Sequence, residues 1–496
     1  MKKCLILIIA AASLCFAQSR AVDKRATTMA EGRPFITDGG LYNSYDLGDS
    51  PLGLFDIDSS RFSAELGYGY WGLHDFSRHS LILPKIKMGE PGRAFFEVFY
   101  GPDFLAYNVA GGVDGVSLPL QRFGLTLAGQ TESGFFGAAF SADGYVGTQT
   151  WENRSDSRWL FGFDKLRIDM RSRVHPLVRV GAFVNAALRI DTLYAPPVQQ
   201  SPGVLQRQHE DRSGQVNLPE LGGSVDFGGE DMPVRSNLSL SYASSRFVYV
   251  TKAVPNVGVD GVDGLGNENT IINDSIQLFW MAQGRVPIND DYTFKPGVLF
   301  GWSNNAGQMF YPHPEGDMFK LGNAITNSLY TLSALYFGLG TGFEALKYAD
   351  LHIEYAASLW SLSCGAGFLP PPAVTSRTLH HTTFGVSTPL HEYVDMPVKV
   401  SPRIAYFISG SSGIIGSRWS DVEPLNVAPN KSKAYLYSPQ NFLDGFERIS
   451  GFTIGVDGAA LGDMLSMSFW ATFLSSKKDS DTESGTELGL SLGFRL

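Results

Sequence analysis

The sequence predicts an all-β chain that folds as a transmembrane antiparallel up-and-down β-barrel of about 16 strands (roughly 14–18). Three observations predict this class. Apolar residues recur at every second position in many segments, the links between these segments alternate between short and long, and no segment beyond the N-terminus has the ~18 consecutive apolar residues of a membrane helix. Only helices and closed barrels satisfy their backbone groups in lipid, so a membrane protein with this pattern must cross with strands.

Residues 1–17 have the pattern of a secretory signal peptide. Two lysines precede the apolar run from Cys4 to Phe16, and small Ala17 follows at a plausible cleavage point. Its removal leaves Cys364 as the single cysteine, which excludes an intramolecular disulfide. The net charge of −10 becomes −12 without the two lysines, and this balance argues against nucleic acid as a partner.

Residues 18–60 are polar and Gly-rich and lack sustained alternation. Two interpretations are open for this segment. It is either a periplasmic lead or a plug that folds inside the lumen of the barrel.

The layout of this segment resembles the N-terminal hatch of the long-chain fatty-acid transporter family of outer-membrane barrels. In that family a Gly-rich stretch runs into an Asp, an aromatic residue and Asn-Pro-Ala before the first strand. Comparable places are held here by Gly39, Gly40, Asp49, Pro51, Phe55 and Asp58, and Asp56-Ile57-Asp58 stands in place of Asn-Pro-Ala. The resemblance implies a lumenal plug or hatch and a hydrophobic solute such as a fatty acid.

Residues 61–496 carry the alternation and are predicted to form the barrel. The longest apolar stripe is Val178, Val180, Ala182, Val184, Ala186, Leu188 and Ile190. Shorter stripes include Leu238, Leu240, Tyr242; Ile276, Leu278, Trp280; Leu351, Ile353, Tyr355; Phe452, Ile454, Val456; and Leu465, Met467, Phe469. These stripes are predicted to face lipid, because alternate side chains of a strand point to opposite faces of the sheet.

The links between the stripes alternate strictly in length. Short links are expected at Gln130–Ser133, Ser172–His175, Gly229–Pro233, Pro287–Asp291, Glu344–Asp350, Pro389–Asp395 and Gly462-Asp463. Long links are expected at Thr148–Ser157, Thr192–Glu220, Thr251–Asn273, Ser303–Asn327, Gly365–Arg377, Gly410–Ile449 and Ser475–Ser484. Outer-membrane barrels combine short periplasmic turns with long external loops.

The strand count follows from this scheme. About fifteen strands follow Gln121, and residues 62–120 must add an odd number to give the even total of such barrels. We expect sixteen strands in all, with 14 and 18 open. The stretch Ser80 to Tyr107 is ambiguous, because Pro84, Pro91 and Pro102 interrupt it.

The final stretch, Thr486 to Leu496, alternates Leu488, Leu490, Leu492, Phe494 and Leu496 with small or charged residues. It resembles the terminal strand of bacterial outer-membrane barrels, which end with alternating apolar residues and an aromatic residue near the C-terminus. We therefore expect the chain in the bacterial outer membrane, in contact with its lipid.

Basic residues are predicted to share the inner face of two neighbouring strands. They are Arg167, Arg171, Arg179 and Arg189, accompanied by Lys165, Asp169, Asn185 and Asp191. One interpretation is a basic patch that binds an anionic solute or a fatty-acid carboxylate. The other is a network of ion pairs that lines a wet lumen or holds a plug.

No catalytic or metal site is predicted. His352 and Glu354 share the inner face of one strand but have no third ligand at an informative spacing, and no G-x-S-x-G elbow marks a nucleophile. A calcium loop at Asp260, Asp263, Asn267 and Glu268 departs from EF-hand spacing. We expect neither an enzyme nor a bound cofactor.

The leading functional prediction is an outer-membrane barrel that passes or binds small molecules, including hydrophobic ones if the hatch resemblance holds. The alternative is a non-transporting structural or binding barrel that acts through external loops, above all Gly410 to Ile449. A third possibility is an exported soluble β-protein. The sequence predicts neither the solute nor the oligomeric state.

Overall fold

The computed structural model describes most of the chain from Arg61 onward and a short piece of the segment before it. The described residues are 34, 36–37, 61–70, 84–90, 94–108, 115–151, 157–195, 199–201, 204–205, 209–228, 232–253, 267–311, 325–345, 348–364, 376–412, 448–462, 464–478 and 481–495. Within these residues no helix is long and apolar enough to cross a membrane.

The described chain is built from strands. They are β1 (Arg61–Tyr70), β2 (Pro84–Glu90), β3 (Ala94–Asn108), β4 (Gly115–Gln130), β5 (Phe136–Trp151), β6 (Ser157–His175), β7 (Val178–Ala195), β8 (Gln199–Ser201), β9 (Val204–Leu205), β10 (His209–Phe227) and β11 (Val234–Ala253). They continue as β12 (Asn267–Gly284), β13 (Val286–Asn289), β14 (Tyr292–Tyr311), β15 (Ile325–Ala345), β16 (Ala349–Cys364), β17 (Ser376–Ser387), β18 (Val398–Ser412), β19 (Arg448–Ala460), β20 (Leu465–Lys478) and β21 (Asp481–Arg495). A 3-10 turn, Leu390–Glu392, lies between β17 and β18.

Nineteen of these strands form one long antiparallel sheet. The remaining two, β8 and β9, form a small hairpin of their own. Apart from the four-residue β13, which pairs with β14, each strand of the sheet pairs with its neighbour in chain order, and β10 follows β7. The first strand, β1, pairs with β2 on one side and with the last strand, β21, on the other. Eighteen described strands therefore follow one another side by side, and the first and last of them, β1 and β21, are also paired.

The strand number differs from the expected sixteen, and the reason lies at the prolines. The fifteen strands expected after Gln121 are present as β4 to β7, β10 to β12 and β14 to β21, but residues 61–108 contain three strands rather than one. Pro84 begins β2, where a missing N–H is tolerated. In the described pairings β2 reaches β3 only as far as Phe99, so Pro102 pairs with β4 alone, opposite Gln121.

The expected short links lie at or beside connections of the sheet. Two expected long links, Gly365–Arg377 and Gly410–Ile449, match the strand ends to within two residues, and the others are too long. The stretch Thr192–Glu220 contains the end of β7 and half of β10, and Ser475–Ser484 is almost entirely strand, with Lys478 paired to Asp481. The cause is that apolar alternation stops where the outer face no longer needs apolar side chains. Backbone pairing continues beyond that point because it does not depend on side-chain polarity.

The sheet has an exposed apolar face and a buried, largely polar one. On β16, Leu351, Ile353 and Leu359 are exposed, whereas His352 and Glu354 between them are buried. The same holds elsewhere for the predicted stripes. Val180, Val184, Leu238, Leu240, Tyr242, Ile276, Trp280, Phe452, Ile454, Val456, Met467, Phe469, Phe473 and Leu488 are all exposed. This is the reverse of a soluble β-protein, in which apolar residues leave water. We call these the outer and inner faces.

The turn between β19 and β20 contains Leu461, the one described non-glycine residue with a positive φ, at 56°. A leucine in this left-handed region is strained, because its Cβ approaches the following carbonyl. We expect Leu461→Asn to raise the free energy of unfolding by about 0.5–1 kcal/mol, because Asn tolerates this conformation better. Guanidinium unfolding in lipid vesicles measures the change. Leu461→Ala is the control, since it removes the exposed side chain without relieving the strain, and an equal gain in both variants would contradict the account.

Candidate functional site

Large side chains of the inner face lie over glycines of the neighbouring strand. Trp470 of β20 lies over Gly489, and Phe407 of β18 lies over Gly451. His352 over Gly385 and Arg403 over Gly455 repeat the arrangement with polar side chains. A Cβ at any of these glycines would collide with the ring or guanidinium above it, so the glycines let bulky groups lie flat against the sheet.

Three glycines of β14 and β15 are covered differently. Gly297 and Gly340 are direct partners across the two strands, and Gly338 is the next inner-face position on β15. Over them lies the N-terminal segment, with Ile36 and Thr37 each only 1% exposed. A Cβ at Gly297 would overlap the Ile36 carbonyl, one at Gly338 would lie 2.8 Å from Ile36 Cδ1, and one at Gly340 would lie 2.6 Å from Thr37 Cγ2.

Hydrogen bonds from the strands on either side hold the segment on this glycine floor. On one side, Gln283 Nε2 of β12 donates to the Ile36 carbonyl at 2.8 Å. On the other side, the Thr37 backbone N–H and hydroxyl both donate to Glu354 Oε1 of β16, each at 2.8 Å. Four consecutive strands thus contribute to one site. We call Gln283, Gly297, Gly338, Gly340 and Glu354 the seat.

A buried ion cluster lies beside the seat, toward the end of the sheet that has the short connections. Lys295 of β14 is 3% exposed and contacts Glu344 Oε2 at 2.7 Å and Asp350 Oδ2 at 2.9 Å. A Cβ at Gly342 would contact the Lys295 stem, so another inner glycine makes room for it. Pairing with two carboxylates offsets the desolvation of a buried ammonium. The cluster fixes β14, β15 and β16 relative to one another below the seat.

The predicted basic residues lie on β6 and β7 as expected, but the described contacts of Arg167 are internal. Arg167 is buried, donates to both carboxylate oxygens of Asp169 at 2.6 and 2.9 Å, and lies 3.8 Å from the centre of the Phe183 ring. Arg171 and Arg179 are half-buried on the same face, and the register places Arg189 opposite Gly162. The described contacts of Arg167 are therefore those that the ion-pair interpretation predicts.

The remaining candidates divide into those outside the described residues and those within the sheet. The six hatch residues, Gly39, Gly40, Asp49, Pro51, Phe55 and Asp58, lie outside the described residues, as do Asp260 and Asp263 of the calcium loop. His352 and Glu354 are both buried on the inner face of β16. No group of three His, Cys, Asp or Glu side chains that could hold a metal ion occurs in the described part of the chain.

Sequence reasoning missed the seat and the inner ion pairs of Lys295 and Arg403. It treated Glu354 as an ordinary lumenal residue and did not single out Lys295 or Arg403, which contacts Asp457 and donates to Ser468 Oγ at 3.2 Å. A signal for the seat was present. Gly338, Gly340 and Gly342 alternate along β15, and three glycines on one face leave a stretch without side chains that something else must cover.

Comparison with known proteins adds a general likeness of fold. The sequence matches no family model, and no curated protein is significantly similar to it. Among solved structures, it is similar to the RagAB peptide transporter (TM-score 0.44, 11% identity, 72% of this chain and 44% of that chain) and to the copper transporter OprC (0.45, 8%, 88% and 80%). It is also similar to the monoaromatic hydrocarbon channel CymD (0.33, 8%, 95% and 96%). The chain spans less than half of the RagAB chain that it matches, and similarity at this level assigns no role to any residue here.

The seat predicts how readily the N-terminal segment is released. In a background of Cys364→Ser and Ile36→Cys, we expect slow reaction of the new thiol with a maleimide reagent, because position 36 is buried. Adding Gly297→Ala should raise the labelling rate about tenfold or more, the equivalent of roughly 1.4 kcal/mol, because its Cβ collides with the carbonyl at position 36. Glu354→Ala should act similarly by removing a charged acceptor of two hydrogen bonds, worth about 1.5–3 kcal/mol.

The matched control for this measurement is Gly458→Ala. A Cβ at Gly458 meets nothing closer than the Lys399 carbonyl at 3.6 Å, so this variant should leave the labelling rate unchanged. Equal labelling rates in the Gly297 and Gly458 variants would show that the segment does not occupy the seat.

Proposed function

We propose that the chain is an outer-membrane β-barrel that admits small molecules across the bacterial envelope, with its N-terminal segment acting as a plug. The observation that carries the proposal is the seating of Ile36 and Thr37 on the inner face, where wall groups bond to them from both sides. In this proposal residues 61–496 form the barrel and residues 18–60 the plug segment.

The two faces of the sheet support the membrane location. Large apolar side chains are exposed along the outer face of successive strands, and such a surface is stable only against hydrocarbon. The pairing of β1 with both β2 and β21 supports closure, since a sheet in lipid can leave no edge unpaired. With the start of β1 and the end of β21 side by side near the short connections, we assign that end to the periplasm.

The strand number supports transport. A closed barrel of about 16–18 strands is wide enough to leave an aqueous channel, so an interior of this size requires a plug if the membrane is to stay tight. The seat provides a fixed attachment for such a plug. The ion pairs of Lys295 and Arg403 link neighbouring strands of the inner face.

The solute is named only as a small molecule at this stage. The hatch residues on which the resemblance to fatty-acid transporters rests lie outside the described residues, so no described contact favours a fatty acid. We retain three residues of the basic patch as candidates for contact with an anionic solute: Arg171, Arg179 and Arg189. The alternative of a non-transporting barrel acts through residues 410–449, and it is separated from the transporter by the next experiment.

Single-channel recording in planar bilayers tests the plug. We expect the unmodified protein to be closed for most of the time. Gly297→Ala and Glu354→Ala should raise the fraction of time spent in a conducting state about tenfold, because each weakens the seated state by roughly 1.4 kcal/mol or more. Gly458→Ala should behave as the unmodified protein does. A barrel that stays silent in all four forms would favour the non-transporting alternative.

A charge on the outer face tests the membrane location. Leu240 on β11 is 53% exposed, and Leu240→Arg should destabilise a lipid-embedded barrel by about 2–4 kcal/mol if it lies near the bilayer midplane. Unfolding in vesicles and heat-modifiable migration in detergent gels would show the loss. Position 241 faces inward, so Ser241→Arg is not a suitable control. Leu461→Arg in the exposed turn serves instead and should lower the free energy of unfolding by less than about 1 kcal/mol. An exported soluble protein would tolerate both changes.

A further inference from the structure

We propose that the seat is a recognition site for a peptide unit, and that the solute admitted by the barrel carries such a unit and displaces Ile36–Thr37. The solute class is a short peptide or peptide-like molecule with a β-branched apolar side chain followed by an amide N–H and a hydroxyl. This inference rests on the proposed function, since it requires that the plug leave the seat.

The contacts in the seat are those of main-chain recognition. The Gln283 amide donates to a backbone carbonyl, and Glu354 Oε1 accepts from the next backbone N–H. Two side chains are recognised in addition, the Thr37 hydroxyl by the same carboxylate oxygen and the Ile36 side chain by the glycine floor. A peptide unit offers this sequence of acceptor, donor and hydroxyl, whereas a fatty acid or a simple hydrocarbon does not.

The site belongs to the sheet rather than to the segment. All five seat residues lie on β12, β14, β15 or β16, within a continuous register of paired strands. Departure of the segment therefore leaves a shaped groove whose floor has no side chains. A molecule of matching shape can enter this groove without any rearrangement of the wall.

An empty seat would be unfavourable, and this favours a replacement over simple loss of the plug. Gln283 is 1% exposed and Glu354 is 6% exposed while the segment is bound. Once the segment leaves, Gln283 loses its bond to the Ile36 carbonyl and Glu354 loses its two bonds to Thr37. A solute that restores those bonds stabilises the released state, so binding and opening are coupled.

The floor also gives a preference among side chains. The Cδ1 atom of Ile36 reaches the position above Gly338, and a Cβ there would lie only 2.8 Å away. Valine lacks that carbon and leaves the space above Gly338 empty. We therefore expect isoleucine to be preferred over valine at this position.

The competing segment is tethered, which sets the concentration that a free peptide needs. Competition within one chain corresponds to an effective concentration of about a millimolar, so a free peptide with the same contacts competes only at about millimolar levels. Thr37→Val removes one of the two donors to Glu354 from the tethered segment. It should lower the peptide concentration required for half-displacement about tenfold.

The experiment uses the full chain in lipid vesicles, with Ile36→Cys and Cys364→Ser as the reporter. The probe is the acetylated and amidated pentapeptide Pro-Phe-Ile-Thr-Asp, which has the sequence of residues 34–38. Addition of the peptide should accelerate maleimide labelling of the thiol at position 36. The half-maximal effect should lie about tenfold below a millimolar, because Ile36→Cys has removed the branched side chain from the competing segment, and about tenfold lower again after Thr37→Val. Heat-modifiable migration confirms that each variant is folded.

Two altered peptides and one wall variant make the test specific. Pro-Phe-Ile-Val-Asp, without the hydroxyl, and Pro-Phe-Gly-Thr-Asp, without the branched side chain, should each require about tenfold more peptide. In Glu354→Ala the labelling is already fast, and the peptide should add nothing. The control Gly458→Ala should respond as its parent does.

The outcomes separate this inference from the proposed function. If Gly297→Ala opens the channel but no peptide accelerates labelling, the plug account holds and peptide recognition is wrong. If the three peptides act equally, recognition of this unit is also wrong. If the peptide accelerates labelling with the expected preference while no variant ever conducts, the seat recognises peptides and the transport function fails.

Discussion

The structure depends on one constraint: the backbone of the sheet must find all of its hydrogen-bond partners within the sheet. The outer face exposes leucines, isoleucines and aromatic residues on strand after strand, and in the proposed membrane location it would meet hydrocarbon, which offers a backbone group no partner. The pairing of Arg61–Tyr70 with both neighbours, Pro84–Glu90 and Asp481–Arg495, meets this constraint at the point where an open sheet would fail. In the described pairings Pro102 lies on a part of β3 that pairs with β4 alone, where its missing N–H is tolerated.

The inner face follows from the outer one. Because alternate residues on the outer face must be apolar, the other half of each strand can be polar. Those polar side chains are buried on the inner face, where other polar groups surround them. Arg167 with Asp169, Lys295 with Glu344 and Asp350, and Arg403 with Asp457 are solutions of this kind. Glycines on adjacent strands accommodate the bulk of these groups. The interior is thus lined by side chains that lie along the sheet, and the seat is the place where a different part of the chain takes over that covering role.

Sequence patterns predicted the structural features that recur in every strand and did not predict those that occur only once. The lipid-facing stripes, such as Leu238 to Tyr242, were predicted because every strand must satisfy the same requirement. Strand ends were misjudged around Thr192–Glu220 because the requirement ends at the edge of the apolar belt while the pairing does not. The two additional strands near Pro84 and Pro102 were missed because proline was treated as an interruption, although a strand start or a one-sided pair tolerates it.

The seat could not be derived from local pattern, because it joins residues 317 positions apart in the case of Thr37 and Glu354. Glutamate on an inner face is ordinary, and nothing in the neighbourhood of residue 354 distinguishes it from the partners of a lumenal ion pair. The alternating glycines of β15 did mark a bare stretch, yet a bare stretch alone does not say what covers it. The identity of the covering residues came only from the fold.

The position of the seat around the ring has a mechanical consequence. From β1, Gly297 on β14 is ten pairings away in one direction and eight in the other, so in the proposed closed barrel the seat and the first strand lie on opposing walls. A chain of 23 residues, the number between Thr37 and Arg61, can extend to about 80 Å, while an eighteen-stranded barrel is on the order of 35 Å across. Covalent attachment to β1 therefore does not by itself prevent Ile36 and Thr37 from leaving the seat.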